Sequence, residues 1–112
     1  MLFATMKTKI SFQGFDWDAG NRRKNEGKHG ISDHEIENFF RQRLWVLPAI
    51  ESPSTEQRFL AIGLSPSHQK PMIAIFTIRI KSGEKLIRPI SARRMNEREE
   101  KKFKEAFQTA SI

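Results

Sequence analysis

The sequence has no cysteine, no tyrosine and only three histidines. Without cysteine there is no disulfide, no thiol nucleophile and no cysteine-ligated zinc. His29, His34 and His68 lie far apart and no pair has metal-ligand spacing, so neither a metal nor a cofactor is expected. No apolar run approaches the roughly 20 residues that span a bilayer, so no membrane span is expected. Met1-Leu2-Phe3-Ala4 is too short for the apolar core of a signal peptide, and a cytoplasmic location is expected. Acidic residues are the minority charge, 13 against 20 Lys and Arg, which leaves the chain at +7.

What is present suits one domain, 1–112, with a single modest core. The apolar fraction of 38%, with 9 Phe and 2 Trp, is enough for a packed interior. The positive balance points to an acidic partner: nucleic acid, a membrane surface or an acidic protein.

Met1–Lys9 reads as a loose leader and Phe12–Trp17 as a short aromatic strand. Asp18 suits the N-cap of a polar helix over Ala19–His29, closed by Gly30 as a left-handed C-cap. Ser32-Asp33-His34-Glu35 has the form of a capping box, and Ile36, Phe39, Phe40 and Leu44 then repeat at helical spacing. Pro48 and Glu51-Ser52-Pro53-Ser54 interrupt the chain, leaving Trp45–Ile50 at most a short strand. Arg58–Ser65, Met72–Ile80 and Lys85–Ala92 read as strands, the last two forming a hairpin through Lys81-Ser82-Gly83-Glu84. Pro89 cannot donate to a ladder, so the last strand is expected at an edge or bulged there. A final helix is expected over Asn96–Thr109, with Asn96 as N-cap. The fold class is therefore α+β: a small antiparallel sheet with two N-terminal helices and one C-terminal helix packed on it.

In the run Ile90–Glu99 a strand ends in Arg93 and Arg94 and passes directly into a charged helix. Guanidinium forks at such a corner match phosphate oxygens; an ordinary solvated helix start is the plainer alternative. Alternation places Ile73, Ile75, Thr77 and Arg79 on one face, its apolar part in the core and Arg79 where it reaches solvent. The hairpin then brings Arg79 near Arg88 or Arg93, with Arg58 arriving from the strand on the other side. Guanidiniums clustered without carboxylates repel each other, and a bound phosphate relieves that repulsion. The alternative is that each arginine rims the sheet and pairs with an acid.

Lys24 and Lys28 stand one turn apart and offer two ammoniums to a phosphate backbone. His29 brings the one residue type here that exchanges protons near neutral pH, although a histidine also suits a helix C-terminus. Trp17, beside a helix start, is the aromatic most available for stacking on a base. Phe12, Phe15, Phe59 and Phe76 default to packing.

Five blocks in order carry a family resemblance: Phe15–Asp18; Asn25 with Lys28–Ile31; Arg58–Gly63; Thr77 with Arg79; and Arg88 with Ile90–Arg94, with Glu97 and Glu99 beyond. From about Phe15 to Phe103 the chain resembles the BrnT toxin family. The resemblance implies a fold similar to the RelE ribonuclease toxins and RNA cleavage that needs neither metal nor ribosome. It also implies a BrnA-type ribbon-helix-helix antitoxin as partner, in a heterotetramer that binds operator DNA through the antitoxin, with no membrane role. Motif by motif, it falls on Trp17; on Lys28, His29 and Gly30; on Arg58 and Arg79; and on Ser91, Ala92 and Arg93. The chain departs from it with Asn21 where the family commonly has lysine, and Pro89 where it has an apolar residue.

The expected activity is thus that of a toxin that cleaves RNA endonucleolytically and inhibits translation. The 2′-OH of the RNA attacks the adjacent phosphorus, with Arg79 and Arg58 on the phosphate and Trp17 on a base. His29 or Lys28 assists proton transfer, and Lys24, Arg88, Arg93 and Arg94 steer the backbone. The absence of tyrosine excludes the tyrosine-assisted transfer of some RelE-like toxins. The alternative is a catalytically weak or inactive module that binds RNA or antitoxin and serves operon autoregulation.

Overall fold

A computed structural model describes residues 7–49 and 56–108. Along the chain lie β1 (Thr8–Lys9), β2 (Gly14–Phe15), α1 (Lys24–His29), α2 (Asp33–Phe40) and β3 (Arg43–Pro48). β4 (Arg58–Leu64), β5 (Pro71–Lys81), β6 (Glu84–Arg94) and α3 (Glu97–Phe103) follow, the last running into a π-helical turn at Lys104–Gln108. The class is α+β, with the strands in one six-stranded sheet of order β1-β3-β4-β5-β6-β2. The sheet is mixed rather than wholly antiparallel, because β2 runs parallel to β6 with Gly14 opposite Leu86 and Phe15 opposite Ile87. The N-terminal segment thereby covers an edge that β6 would otherwise leave unpaired beside the buried Ile87.

The β5–β6 hairpin forms as expected: Lys81 pairs with Glu84, and Ser82 and Gly83 both take positive φ, 51° and 78°. Two left-handed residues give the turn a twist that matches the strands. The expected irregularity at Pro89 is also there. Ile75 pairs with Ser91 and Phe76 with Pro89, so Ile90 is left over as a bulge.

The principal core lies on the face of Met72, Ala74 and Phe76, against Ile36, Phe39 and Phe40 of α2. The rings of Phe40 and Phe76 meet edge to face at 5.0 Å. The opposite face, with Ile73, carries a smaller cluster in which Phe103 of α3 packs on Trp45 at 5.2 Å. Ile73, expected in the core, packs against this smaller cluster, while the larger one lies on the other face of β5. β5 is apolar on both faces, and its pattern cannot choose between them.

Local departures have clear causes. Residues 19–23 form turns, and α1 begins only at Lys24, because Arg23 sits at φ 58°. Asp18 Oδ1 accepts from the Gly20 amide at 2.8 Å, and the Arg23 amide donates to the Asp33 carboxylate at 3.0 Å. Gly30, at φ 69°, closes α1 as expected. Ser32 caps α2 by accepting from the Glu35 amide, while the Glu35 carboxylate accepts from Ser67 Oγ at 2.8 Å. Leu44, read as part of that helix, is buried at the start of β3 instead. Thr8 and Lys9, read within the leader, pair with Leu44 and Arg43. The capping box of α3 is complete, joining Asn96 and Glu99 in both directions. Thr109, its expected end, lies outside the described residues, as does Ile50.

Candidate functional site

Three adjacent strands present Arg58, Thr77 and Arg88 in one cross-strand row. Residues directly opposite share a face, and so does Arg79, two positions beyond Thr77. The row opens into a cleft of about 220 Å³ lined by Gly20, Asn21, Lys24, Glu56, Arg58, Arg79, Arg88, Pro89 and Ile90. Of the two arginines that periodicity allowed beside Arg79, the register selects Arg88. Arg93 pairs with Ile73, four residues from Thr77 along β5 and hence ~13 Å away.

Two buried asparagines hold the cleft's outer wall. Asn21 Nδ2 donates to the Asp16 carbonyl at 3.0 Å and to the Pro89 carbonyl at 2.9 Å. Asn25 Oδ1 accepts from the Ala92 amide at 3.1 Å. Together they fasten α1 and its approach along the edge of β6 that β2 is too short to cover. Lys24 is thereby set over the bulge, its Nζ 3.4 Å from the Ile90 carbonyl.

The arginines do not stand without acids: of the two alternatives that periodicity left open, Arg79 and Arg88 follow the one in which each arginine pairs with an acid. Arg79 donates to Glu56 through Nε at 2.9 Å and Nη2 at 3.2 Å. Arg88 donates to both oxygens of Asp18 at 3.0 and 3.1 Å. Asp16 sits behind them, 2.9 Å from Lys81 and 3.5–3.6 Å from Arg88 and Arg79. The hydrogen bond from Arg79 holds the Glu56 carboxyl below its ordinary range, and Arg88 does the same for Asp18, helped by the Gly20 amide. Arg79 is in turn held above its ordinary value, chiefly by Glu56.

Positive charge still exceeds negative. Among the described residues, Lys24, Arg58, Arg79, Lys81 and Arg88 face the three acids Asp16, Asp18 and Glu56. Arg58 forms no ion pair among the described residues, and its buried Nε has no hydrogen-bond partner there. A buried donor left unmet costs about 1–3 kcal/mol.

The remaining residues singled out from sequence do not line the cleft. Trp17 is half-buried and donates from Nε1 to Glu37 at 2.8 Å. Lys28 and His29 occupy the last turn of α1. Arg93 grips Glu99 through two hydrogen bonds of 2.7 and 2.8 Å. Arg94 reaches His68 at 3.2 Å. Asp16, Glu56 and Asn21 were not foreseen as site residues. Only the strand register, absent from local pattern, brings them to the arginines. A larger open groove of about 580 Å³ along residues 9–15 and Arg41 shares no lining with the cleft.

Residues 17–99 match the family described as the ribonuclease toxin BrnT of type II toxin-antitoxin systems. The chain belongs to the BrnT family. No curated protein matches it. Membership makes it a ribonuclease toxin, with RNA as target and a protein antitoxin as partner. Within the BrnT match fall every charged residue of the cleft lining and both asparagines that fasten α1. Among the described residues no helix is long and apolar enough to cross a membrane, and no three metal-ligating side chains stand together.

Proposed function

We propose that this toxin is an endoribonuclease and that the arginine cleft holds the scissile phosphate of its RNA. The observation that carries this reading is Arg58, a cation on the cleft wall without an ion pair among the described residues and with a buried unmet donor. Cleavage then proceeds by attack of the RNA 2′-OH on the adjacent phosphorus and requires neither metal nor ribosome. Preorganised cations aimed at the growing phosphorane charge supply the largest part of such catalysis. Arg58 and Arg79 hold the phosphate, while Lys24 and Arg88 steer the backbone.

In this reading one domain, 1–112, has a RelE-like arrangement and works in the cytoplasm, where cleavage of RNA inhibits translation. Its neutralising partner is a BrnA-type ribbon-helix-helix antitoxin, joined in a heterotetramer that binds operator DNA through the antitoxin. Binding without catalysis is the second reading. It is favoured by the Arg79–Glu56 pair, which already occupies a cation that the phosphate needs.

The test is cleavage of a structured RNA by purified protein in EDTA, comparing wild type with Arg58→Ala and Arg93→Ala. Cleavage lost in the first variant and kept in the second supports the cleft. Equal activity in all three rejects it, and a gel shift with no cleavage by wild type selects the binding module.

A further inference from the structure

Cleavage by 2′-OH attack needs a group that takes the hydroxyl proton, and the cleft restricts the choice. The guanidiniums of Arg58, Arg79 and Arg88 carry donors only, and so does the charged ammonium of Lys24, which donates to the Ile90 carbonyl. Asn21 Oδ1 already accepts from the Asp18 amide at 2.8 Å, and an amide oxygen is not a base near neutral pH. No histidine lines the cleft. Asp16 lies behind the wall with its side chain 7% exposed, engaged by Lys81, and Asp18 is outside the lining. Among the described residues Glu56 is the one carboxylate on the lining, with its side chain 38% exposed.

We propose that Glu56 is the catalytic base of the toxin; the assignment rests on reading the cleft as the RNA-phosphate site. Its carboxylate takes the proton of the 2′-OH as that oxygen forms its bond to phosphorus. The bond from phosphorus to the 5′ oxygen then breaks, and the leaving oxygen takes a proton from water. The products are a 2′,3′-cyclic phosphate and a 5′-OH, and Glu56 returns its proton to solvent.

The Arg79 pair gives this assignment a second support. Arg79 keeps the carboxylate ionised and oriented through Nε and Nη2 before reaction. When Glu56 becomes neutral on taking the proton, Arg79 loses the anion it is hydrogen-bonded to, with Asp16 left at 3.6 Å, just as negative charge grows on the phosphorane. One guanidinium thus serves two anions in succession, and the pairing that blocks phosphate in the resting protein becomes part of the chemistry.

The experiment compares wild type, Glu56→Gln and Glu56→Asp. Single-turnover cleavage of an RNA oligonucleotide is measured beside affinity for the same oligonucleotide methylated at its 2′ oxygens. Glu56→Gln is expected to cut ~10²–10⁴-fold more slowly, the usual contribution of a positioned base, with affinity unchanged or tighter. Glu56→Asp is expected to recover part of the rate. A Glu56→Gln protein that cuts within about fivefold of wild type overturns the assignment. So does a variant that loses affinity in step with rate, which marks a structural role. Failure of the cleft itself is distinct: Arg58→Ala then cuts as wild type does.

Discussion

Asn21 donates its side-chain amide to the carbonyl of Pro89, 68 residues away, at 2.9 Å. The sequence resemblance marks both as expected departures from its pattern, and the structure makes them partners. Pro89, within β6, has no amide to offer the ladder, and its carbonyl accepts from Asn21 in the segment before α1. A short amide at Asn21 reaches that carbonyl while bonding the Asp16 carbonyl and the Asp18 amide as well.

Asn21→Ala is therefore expected to destabilise the fold well beyond the usual surface substitution. It leaves the Pro89 carbonyl and the Asp18 amide unmet, and the Asp16 carbonyl with only a long 3.5 Å bond from Arg88, at a site where Asn21 is 4% exposed. The cost is about 2–5 kcal/mol, or a fall in Tm of ~10 °C or more for a domain of this size. Thermal unfolding followed by circular dichroism reads it directly, and an unchanged midpoint would show that these bonds hold nothing.

Arg58→Ala is expected to do the reverse, weakening RNA binding without lowering stability. Its Nε is buried and unmet, so truncation removes a donor that the fold does not satisfy. The slope of log affinity against log salt should become shallower by ~0.7 for each phosphate of single-stranded RNA that the variant no longer neutralises. Arg93→Ala, whose guanidinium is committed to Glu99, should leave that slope unchanged. Equal slopes for Arg58→Ala and wild type would remove Arg58 from the interface.

Gly63→Ala tests the packing that anchors β4, the strand carrying Arg58. A Cβ at Gly63 would stand 2.5 Å from Leu44 Cδ2 and 3.4 Å from Phe39 Cε1. Both neighbours are fully buried, so the added methyl forces a shift within the main core. A loss of about 1–3 kcal/mol is expected from such overpacking, measurable by urea denaturation. A midpoint equal to wild type would mean that Leu44 has a second rotamer available.

How far these features could be read from sequence depends on how local their causes are. Ser32, Gly30, Asn96 and the Ser82-Gly83 turn act within a few residues, and each does what its chemistry predicts. The bulge at Pro89 is local too. The parallel β2–β6 pairing and the choice of Arg88 over Arg93 depend on register between distant segments, which local pattern does not encode. The acids illustrate the same limit. Asp16 and Glu56 are 40 positions apart in the chain, yet both meet Arg79.

The pair at the strand–helix corner, Arg93 and Glu99, predicts an acid transition in α3 alone. Arg93 donates twice to Glu99, and the Asn96 amide donates once more at 3.0 Å. These bonds, Arg93 first, bring the Glu99 carboxyl from 4.5 down to about 2. A carboxyl lowered on folding contributes stability that is fully present above its unfolded value and is lost as pH falls through the folded one. The contribution should thus be intact above pH 4.5 and vanish on approach to pH 2. Solvent screens this partly exposed pair, so the effect is a loosening of α3 rather than global unfolding. Phe103 of α3 packs on Trp45, so Trp45 emission in a Trp17→Phe background reports the loosening. Glu99→Gln should show the loosened signal at neutral pH and no step between pH 4.5 and 2. A Glu99→Gln protein that retains the acid step would assign it to another carboxylate.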